Sequence, residues 1–339
     1  MRWRPHVERV ACGLEFGSRK GIQIVTKVLV TGGAGFIGAN LCRFLGQKHP
    51  NWTIRVIDNL SSGVASNLDG TGVDLIVASV LNESALNKAV EGADVVVHLA
   101  ARPSVPRSVA DPVTSHEMNA TGTLRVLQAV RSLHNPFVVV ASSSSVYGAN
   151  PELPKSENMC PMPMSPYAVS KLATEQYALA WRYSYGIETL AFRFFNVFGP
   201  LQTAGHAYAA VIPAFLSAAL NDEELPINGD GMQSRDFTYV GTVCAVIADA
   251  MERRVSCPSP VNLAFGSRIS LLDVVAQLEA QLGQPLKRKH REARVGDVRH
   301  SQADNSLLKA LFPDVAPVPF EVGLAETVEW MRSQPTQSV

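Results

Sequence analysis

From Lys27 onward, short apolar runs alternate with longer stretches in which apolar and polar positions share a helical period. Val28-Leu29-Val30, Ile54 to Ile57, Leu75-Ile76-Val77, Val95-Val96-Val97 and Phe137 to Val140 are apolar runs, interrupted only by Arg55, and too short for helices. Between them lie helix-length segments, among them the one through Phe36, Leu41, Phe44 and Leu45, Glu83 to Val90, and Val113 to Leu133. A strand covered on both faces has no polar side to show, so continuous apolar runs separated by helices predict a parallel sheet. The fold class expected is α/β, a Rossmann-like doubly wound parallel sheet.

After Asn196 the pattern changes. Gly199-Pro200, Pro226 and Asn228-Gly229-Asp230-Gly231 break the chain into shorter elements. This texture predicts a smaller C-terminal substrate-binding lobe, residues 196–236 and 266–333, over the strand ends where open α/β sheets bind ligands. Tyr239 to Met251 reads as a helix and Val261 to Phe265 as a strand, so 237–265 is expected to return to the larger domain, 27–195. Residues 1–26 carry Arg2, Arg4, Arg9, Arg19 and Lys20 without an apolar segment long enough for secretion, and read as an N-terminal extension.

Composition narrows the classes. In 339 residues, 30 basic side chains balance 30 acidic ones, which argues against a protein that coats nucleic acid by neutralising phosphates. Hydrophobic residues are 46% of the chain, enough for a large core, yet no run approaches the roughly 18 apolar residues of a membrane span. The five cysteines (Cys12, Cys42, Cys160, Cys244, Cys257) form no C-x-x-C, and the eight histidines show no ligand spacing. Neither a disulfide framework nor a metal is expected, and the cytoplasm is the expected address.

Thr31-Gly32-Gly33-Ala34-Gly35-Phe36-Ile37-Gly38 follows a strand and opens a helix. Glycines let the backbone approach a pyrophosphate, and the helix N-terminus offers it free N–H groups and a positive dipole. Asp58 ends the second strand about 20 positions on, where a carboxylate accepts from ribose hydroxyls and repels a 2′-phosphate. No arginine follows in Asn59-Leu60-Ser61-Ser62-Gly63, so NAD is favoured over NADP.

Tyr167 and Lys171, at i and i+4 after Pro166, share a helix face. A nearby ammonium favours phenolate, so the pair could take a proton from a sugar hydroxyl while hydride leaves the carbon. The strand Phe137 to Ala141 runs into Ser142-Ser143-Ser144-Ser145-Val146-Tyr147-Gly148, which places hydroxyls at a strand C-terminus.

With His98-Leu99-Ala100-Ala101 and Arg193-Phe194-Phe195-Asn196-Val197-Phe198-Gly199-Pro200, these segments stand in the order seen in extended short-chain dehydrogenases/reductases. The chain resembles that family over about Lys27 to Met331. Within it, the chain looks most like bacterial UDP-N-acetylglucosamine/UDP-glucose 4-epimerases. Ala207-Tyr208-Ala209-Ala210-Val211-Ile212-Pro213, Asn228-Gly229-Asp230-Gly231 with Ser234-Arg235-Asp236-Phe237, and Gly296-Asp297-Val298-Arg299-His300-Ser301 carry the closer match.

The resemblance implies Tyr167 as base, Lys171 on the nicotinamide ribose and tuning Tyr167, and Ser143 aiding proton transfer. It implies an NAD site from Gly32, Gly35, Phe36, Ile37, Gly38, Asp58, Asn59, Ser61, Ser62, Gly63, Ser79, Val80, Leu99, Ala100 and Ala101 besides Tyr167 and Lys171. Ser79 stands where family members often carry an aspartate near the adenine. The UDP-sugar would meet Ser104, Ser142, Ser143, Ser144, Tyr167, Asn196, Ala210, Val211, Asn228 and Ser301. Arg235 and Arg294 would clamp its phosphates, and Asp297 would meet the uridine ribose. Homodimerisation through 113–133 and 166–185 is the family's expectation.

Related dehydratases and decarboxylases need an extra acid just before Val-Tyr-Gly, where this chain has Ser144 and Ser145. Epimerisation at C4 through a transient 4-keto sugar is therefore the expected reaction. Ser301, at a position where bulk restricts relatives to non-acetylated hexoses, leaves room for an N-acetyl group. The alternatives are a UDP-glucuronate 4-epimerase, with Arg102 or Arg107 meeting the carboxylate, and a dehydratase or decarboxylase. A different class again is a redox-silent nucleotide-binding scaffold.

Overall fold

The computed structural model describes residues 26–203, 210–292 and 299–334. Arg294, Asp297 and the N-terminal extension up to residue 25 lie outside the described residues. The five apolar runs are strands β1 (Lys27–Thr31), β2 (Thr53–Asp58), β3 (Asp74–Val77), β4 (Val95–His98) and β5 (Phe137–Ser143), and β6 (Glu188–Phe194) follows. Helices α1 (Phe36–Lys48), α2 (Glu83–Val90), α3 (Val105–Ala110), α4 (Pro112–His116), α5 (Gly122–Val130) and α6 (Pro166–Tyr185) connect them. Beyond them come β7 (Val197–Phe198), α7 (Val211–Leu220), β8 (Leu225–Asn228), β9 (Ser234–Arg235), β10 (Thr238–Tyr239), α8 (Val240–Arg253) and β11 (Val261–Leu263). The last described elements are β12 (Ile269–Ser270), α9 (Leu271–Leu282), β13 (Arg288–Arg291), α10 (Ser306–Leu311) and α11 (Phe320–Ser333).

Seven strands form one sheet in the order β11-β6-β5-β4-β1-β2-β3. Every pairing is parallel, as the short apolar runs predict. Alternation along β1 divides the core between two layers. Val28 and Val30 pack with Leu41, Val56 and Val243 on one face, and Leu29 packs with Ile57, Val126 and Trp181 on the other. Strand order reverses between β1 and β4, which opens a crevice at their C-terminal ends. The smaller sheets, β7 with β10, β8 with β13 and β9 with β12, stand beyond β6 in sequence.

The segment 113–133, expected as one helix, is α4, a π-helical turn at Glu117–Thr121, and α5. The wider turn frees the Asn119 carbonyl to accept the Thr123 hydroxyl at 2.6 Å, while its side chain bonds Arg102 N and Ser170 Oγ. Packing of a polar side chain thus overrides the simple periodicity. No helix among the described residues is long and apolar enough to cross a membrane.

Candidate active site

The glycine turn is built by close approach. A Cβ on Gly38 would lie 2.3 Å from the Gly32 carbonyl oxygen, and one on Gly32 (φ +70°) would lie 2.7 Å from Ala100. With those side chains absent, α1 begins against the ends of β1 and β4. Its N-terminus has no side-chain cap and no acidic residue in its first turn, so its N–H groups remain open to an anion.

A cavity of about 350 Å³ lies over this turn. Gly32, Gly35, Phe36, Ile37 and Gly38 line one end, with Asp58, Asn59, Ser61, Ser62, Ser79 and Val80 beside them. Leu99, Ala100, Ala101, Ser142, Ser143, Tyr167 and Lys171 line the remainder. The Asp58 carboxylate accepts from Ala34 N (3.0 Å) and Leu60 N (2.8 Å), which fixes it at the end of β2 with lone pairs to spare. An uncapped helix start, a cradle that a Cβ would fill and a fixed carboxylate suit a dinucleotide; these residues fit NAD.

Gly63 does not line this cavity. It is buried behind the turn, where a Cβ would lie 2.8 Å from the Ala34 carbonyl carbon, so its role here is to let that loop close.

The Ser143 hydroxyl stands beside the Tyr167 phenol, and Ser143 Oγ accepts Ser145 N at 3.2 Å. Lys171 is buried and donates from Nζ to the Ala141 carbonyl at 2.8 Å. Burial pulls the Lys171 pKa down to about 8. Burial raises that of Tyr167 against the weaker, opposing effect of the Ser143 hydroxyl. The lowering of Tyr167 by Lys171 expected from their spacing is therefore not what this arrangement produces; desolvation wins.

Ser142 touches the cavity, but its hydroxyl turns inward, donating to Glu175 Oε2 (2.8 Å) with the Lys171 carbonyl 3.2 Å away. Adjacent strand residues point to opposite faces, so Ser142 and Ser143 cannot both present hydroxyls to a substrate. Ser144 lines neither cavity and begins a short 3-10 turn. Ser104, at φ +99°, accepts Arg107 N to cap α3, and it too is absent from the lining.

A second cavity, about 470 Å³, lies in the smaller lobe. Asn196, Val197 and Gln202 line both cavities and so mark where they meet. Ala210, Val211, Asn228 and Arg235 line the second, together with Gln233 and Arg291. Arg235 Nη1 donates to the carbonyls of Ser234 and Arg299, which aligns its guanidinium. Ser301 is outside this lining; its N–H bonds the Ser234 carbonyl beside it. Among the described residues, no three His, Cys, Asp or Glu side chains are placed to hold a metal.

Gln202 was invisible to sequence reasoning. Its Nε2 donates to the Val197 carbonyl, leaving Oε1 buried without a partner among the described residues at the junction of the cavities. A glutamine in a Pro- and Gly-rich loop belongs to no spacing rule; only its closeness to Asn196 hinted at it. Asp236, beside Arg235, accepts Gly266 N, Ala303 N and the Ser267 N and Oγ groups, tying three segments under the second cavity. Burial raises its pKa to about 6 despite these bonds.

Residues 28–264 match the model of the NAD dependent epimerase/dehydratase family. The chain is 33% identical over 321 residues to a UDP-glucose 4-epimerase of Mycolicibacterium smegmatis, covering 91% of this chain and 99% of that one. A structure of UDP-N-acetylglucosamine 4-epimerase from Methanobrevibacter ruminantium, in complex with UDP-N-acetylmuramic acid, superposes with a TM-score of 0.86. It is 37% identical, with coverage of 92% and 99%. A UDP-glucuronic acid 4-epimerase from Bacillus cereus, in complex with UDP-glucuronic acid and NAD, gives a TM-score of 0.83 at 29% identity, with coverage of 91% and 99%.

Proposed function

This chain belongs to the NAD dependent epimerase/dehydratase family, and from that premise we propose that it is a 4-epimerase of UDP-hexoses. NAD is its cofactor, and when bound it supplies reversible two-electron oxidation of a sugar carbon. The observation that carries the reading is the placing of Tyr167, Ser143 and Lys171 on one cavity that meets the other at Asn196 and Gln202. A sugar at that junction and its nucleoside diphosphate in the second cavity would put a ring hydroxyl beside the Tyr167 phenol.

Tyr167 takes the proton of the C4 hydroxyl and later returns it, with the Ser143 hydroxyl beside the phenol. Lys171 lines the same cavity, its buried ammonium fixed by the Ala141 carbonyl. Arg235 meets the diphosphate, for which its planar fork is suited; Arg294 and Asp297 keep the roles expected from sequence. Ser144 and Ser145 offer no carboxyl to drive elimination or decarboxylation, so the 4-keto sugar is reduced again from its other face and C4 is inverted.

A neutral hexose, acetylated or not, is favoured over a uronate. Neither Arg102 nor Arg107 lines either cavity, and Arg102 Nη1 is held instead by the Asp111 carboxylate at 2.7 Å. Small Ser301 is compatible with an N-acetyl group. Exposed Val105, Val109, Val113 and Val169, on the packed helices α3, α4 and α6, suit a homodimer. The free thiols of Cys42, Cys160, Cys244 and Cys257 suit a reducing cytoplasm.

The test is to incubate purified protein with UDP-glucose, UDP-N-acetylglucosamine or UDP-glucuronate without added reductant and follow the product by NMR. A C4-epimer equilibrium supports the reading. Tightly held NAD with no epimer from any of the three overturns it, and loss of water or carbon dioxide in the product mass identifies a lyase instead.

A further inference from the structure

Three consecutive residues at the end of β5 grip one face of α6. The Ala141 carbonyl accepts Lys171 Nζ, Ser142 Oγ donates to Glu175 with the Lys171 carbonyl 3.2 Å away, and Ser143 stands beside Tyr167. The outer two contacts face the cavity. The middle one runs inward to a network with no part in the chemistry described above.

Glu175 is completely buried one turn beyond Lys171. Arg193 of β6, also buried, grips both its oxygens: Nη2 to Oε1 at 2.7 Å and Nε to Oε2 at 3.0 Å. The guanidinium carbon lies 4.7 Å from the centre of the Tyr147 ring, and the Tyr147 hydroxyl donates to Asn262 of β11 at 2.6 Å. The contacts therefore link α6 to β5, β6 and β11.

Holding α6 on the sheet does not need charge. A buried ion pair recovers its desolvation cost only with good geometry, and apolar residues of similar volume often serve stability as well. Its distinctive property is direction. An apolar contact tolerates a small rotation of the helix, whereas a bidentate pair with a third hydrogen bond from Ser142 resists it. Tyr167 and Lys171 lie on the two turns before Glu175, so rotation there displaces the phenol and the ammonium together. A misplacement of about 1 Å at reacting groups can cost on the order of 10²-fold in rate.

We propose that Glu175 is a positioning residue: held by Arg193, it uses the Ser142 hydroxyl to lock α6 against β5 and so aims the Tyr167–Lys171 pair. The proposal rests on the reading of Tyr167 as the base.

The test uses NAD-loaded full-length protein and two variants. Ser142→Ala cuts the link and leaves the Glu175–Arg193 pair whole; Glu175→Gln keeps the shape and removes the charge. Tyr167 is titrated by phenolate absorbance, each protein being compared with its own Tyr167→Phe counterpart, and kcat and KM are measured on UDP-glucose. Ser142→Ala is expected to shift the phenol titration by half a pH unit or more. It should lower kcat about tenfold while KM and NAD content stay within about twofold. Glu175→Gln, if it folds, moves both in the same direction. A Ser142→Ala phenol that titrates as wild type overturns the proposal, and so does a kcat within about twofold of wild type in a protein that turns over. If the parent protein epimerises nothing, the proposed reaction fails separately and the titration alone decides this point.

Discussion

The Lys171 ammonium donates to the main-chain carbonyl of Ala141 at 2.8 Å, so the charged end of α6's proposed pair is anchored to the strand beside it. This anchor is neutral, and burial pulls the Lys171 pKa from 10.5 to about 8. Between those values the unfolded chain keeps a proton that the folded chain has released. Lys171 therefore makes the fold more stable as pH rises from about 8 to 10.5, and destabilises it below 8 by roughly 3 kcal/mol. Thermal unfolding of wild type and Lys171→Met should show the gap between them moving in favour of wild type over that range. A gap independent of pH would show that burial does not set the lysine's charge.

Tyr167→Phe keeps the ring and removes only the hydroxyl. NAD content and melting temperature should match wild type, while kcat falls about 10²–10⁴-fold, the usual value of a positioned acid–base group. Turnover on a UDP-hexose above a tenth of wild type would exclude the phenol as the base.

Gly38→Ala should be costly for so small a change. The added methyl would lie 2.3 Å from the Gly32 carbonyl oxygen, backbone that cannot step aside without opening the turn. We expect a loss of about 1–3 kcal/mol in stability and most of the bound NAD, read by denaturant unfolding and by cofactor released on acid precipitation. Gly186→Ala is a contrasting control: beyond its chain neighbours nothing packs within 4 Å of its Cβ position, and its φ of +67° confines the cost to backbone strain.

Arg193→Met leaves Glu175 charged and unpaired in the core, which should cost about 3–5 kcal/mol. Replacing both, Arg193→Met with Glu175→Leu, should recover most of that loss, because neither charge is then buried. Urea midpoints of the two proteins measure the difference. A double variant no more stable than the single one would mean that volume, not charge, dominates the site.

What the sequence determined by itself is whatever depends on near neighbours. Apolar runs set the parallel sheet, the glycine spacing set the turn before α1, and Asp58 fell at the end of β2 because strand length is short and regular. Tyr167 and Lys171 share a face because any helix makes i and i+4 neighbours. The tertiary structure decided which groups meet across the chain and which are dehydrated. It turned Ser142 away from the cavity and Ser143 toward it, a choice of strand face that four serines in a row cannot encode. It packed Gly63 behind Ala34, brought Gln202 to the junction of two cavities, and paired Glu175 with Arg193. It also made burial, not a neighbouring cation, the stronger influence on Tyr167. Desolvation and long-range partners arise from the closing of the whole sheet and its lobe, and no local spacing carries them.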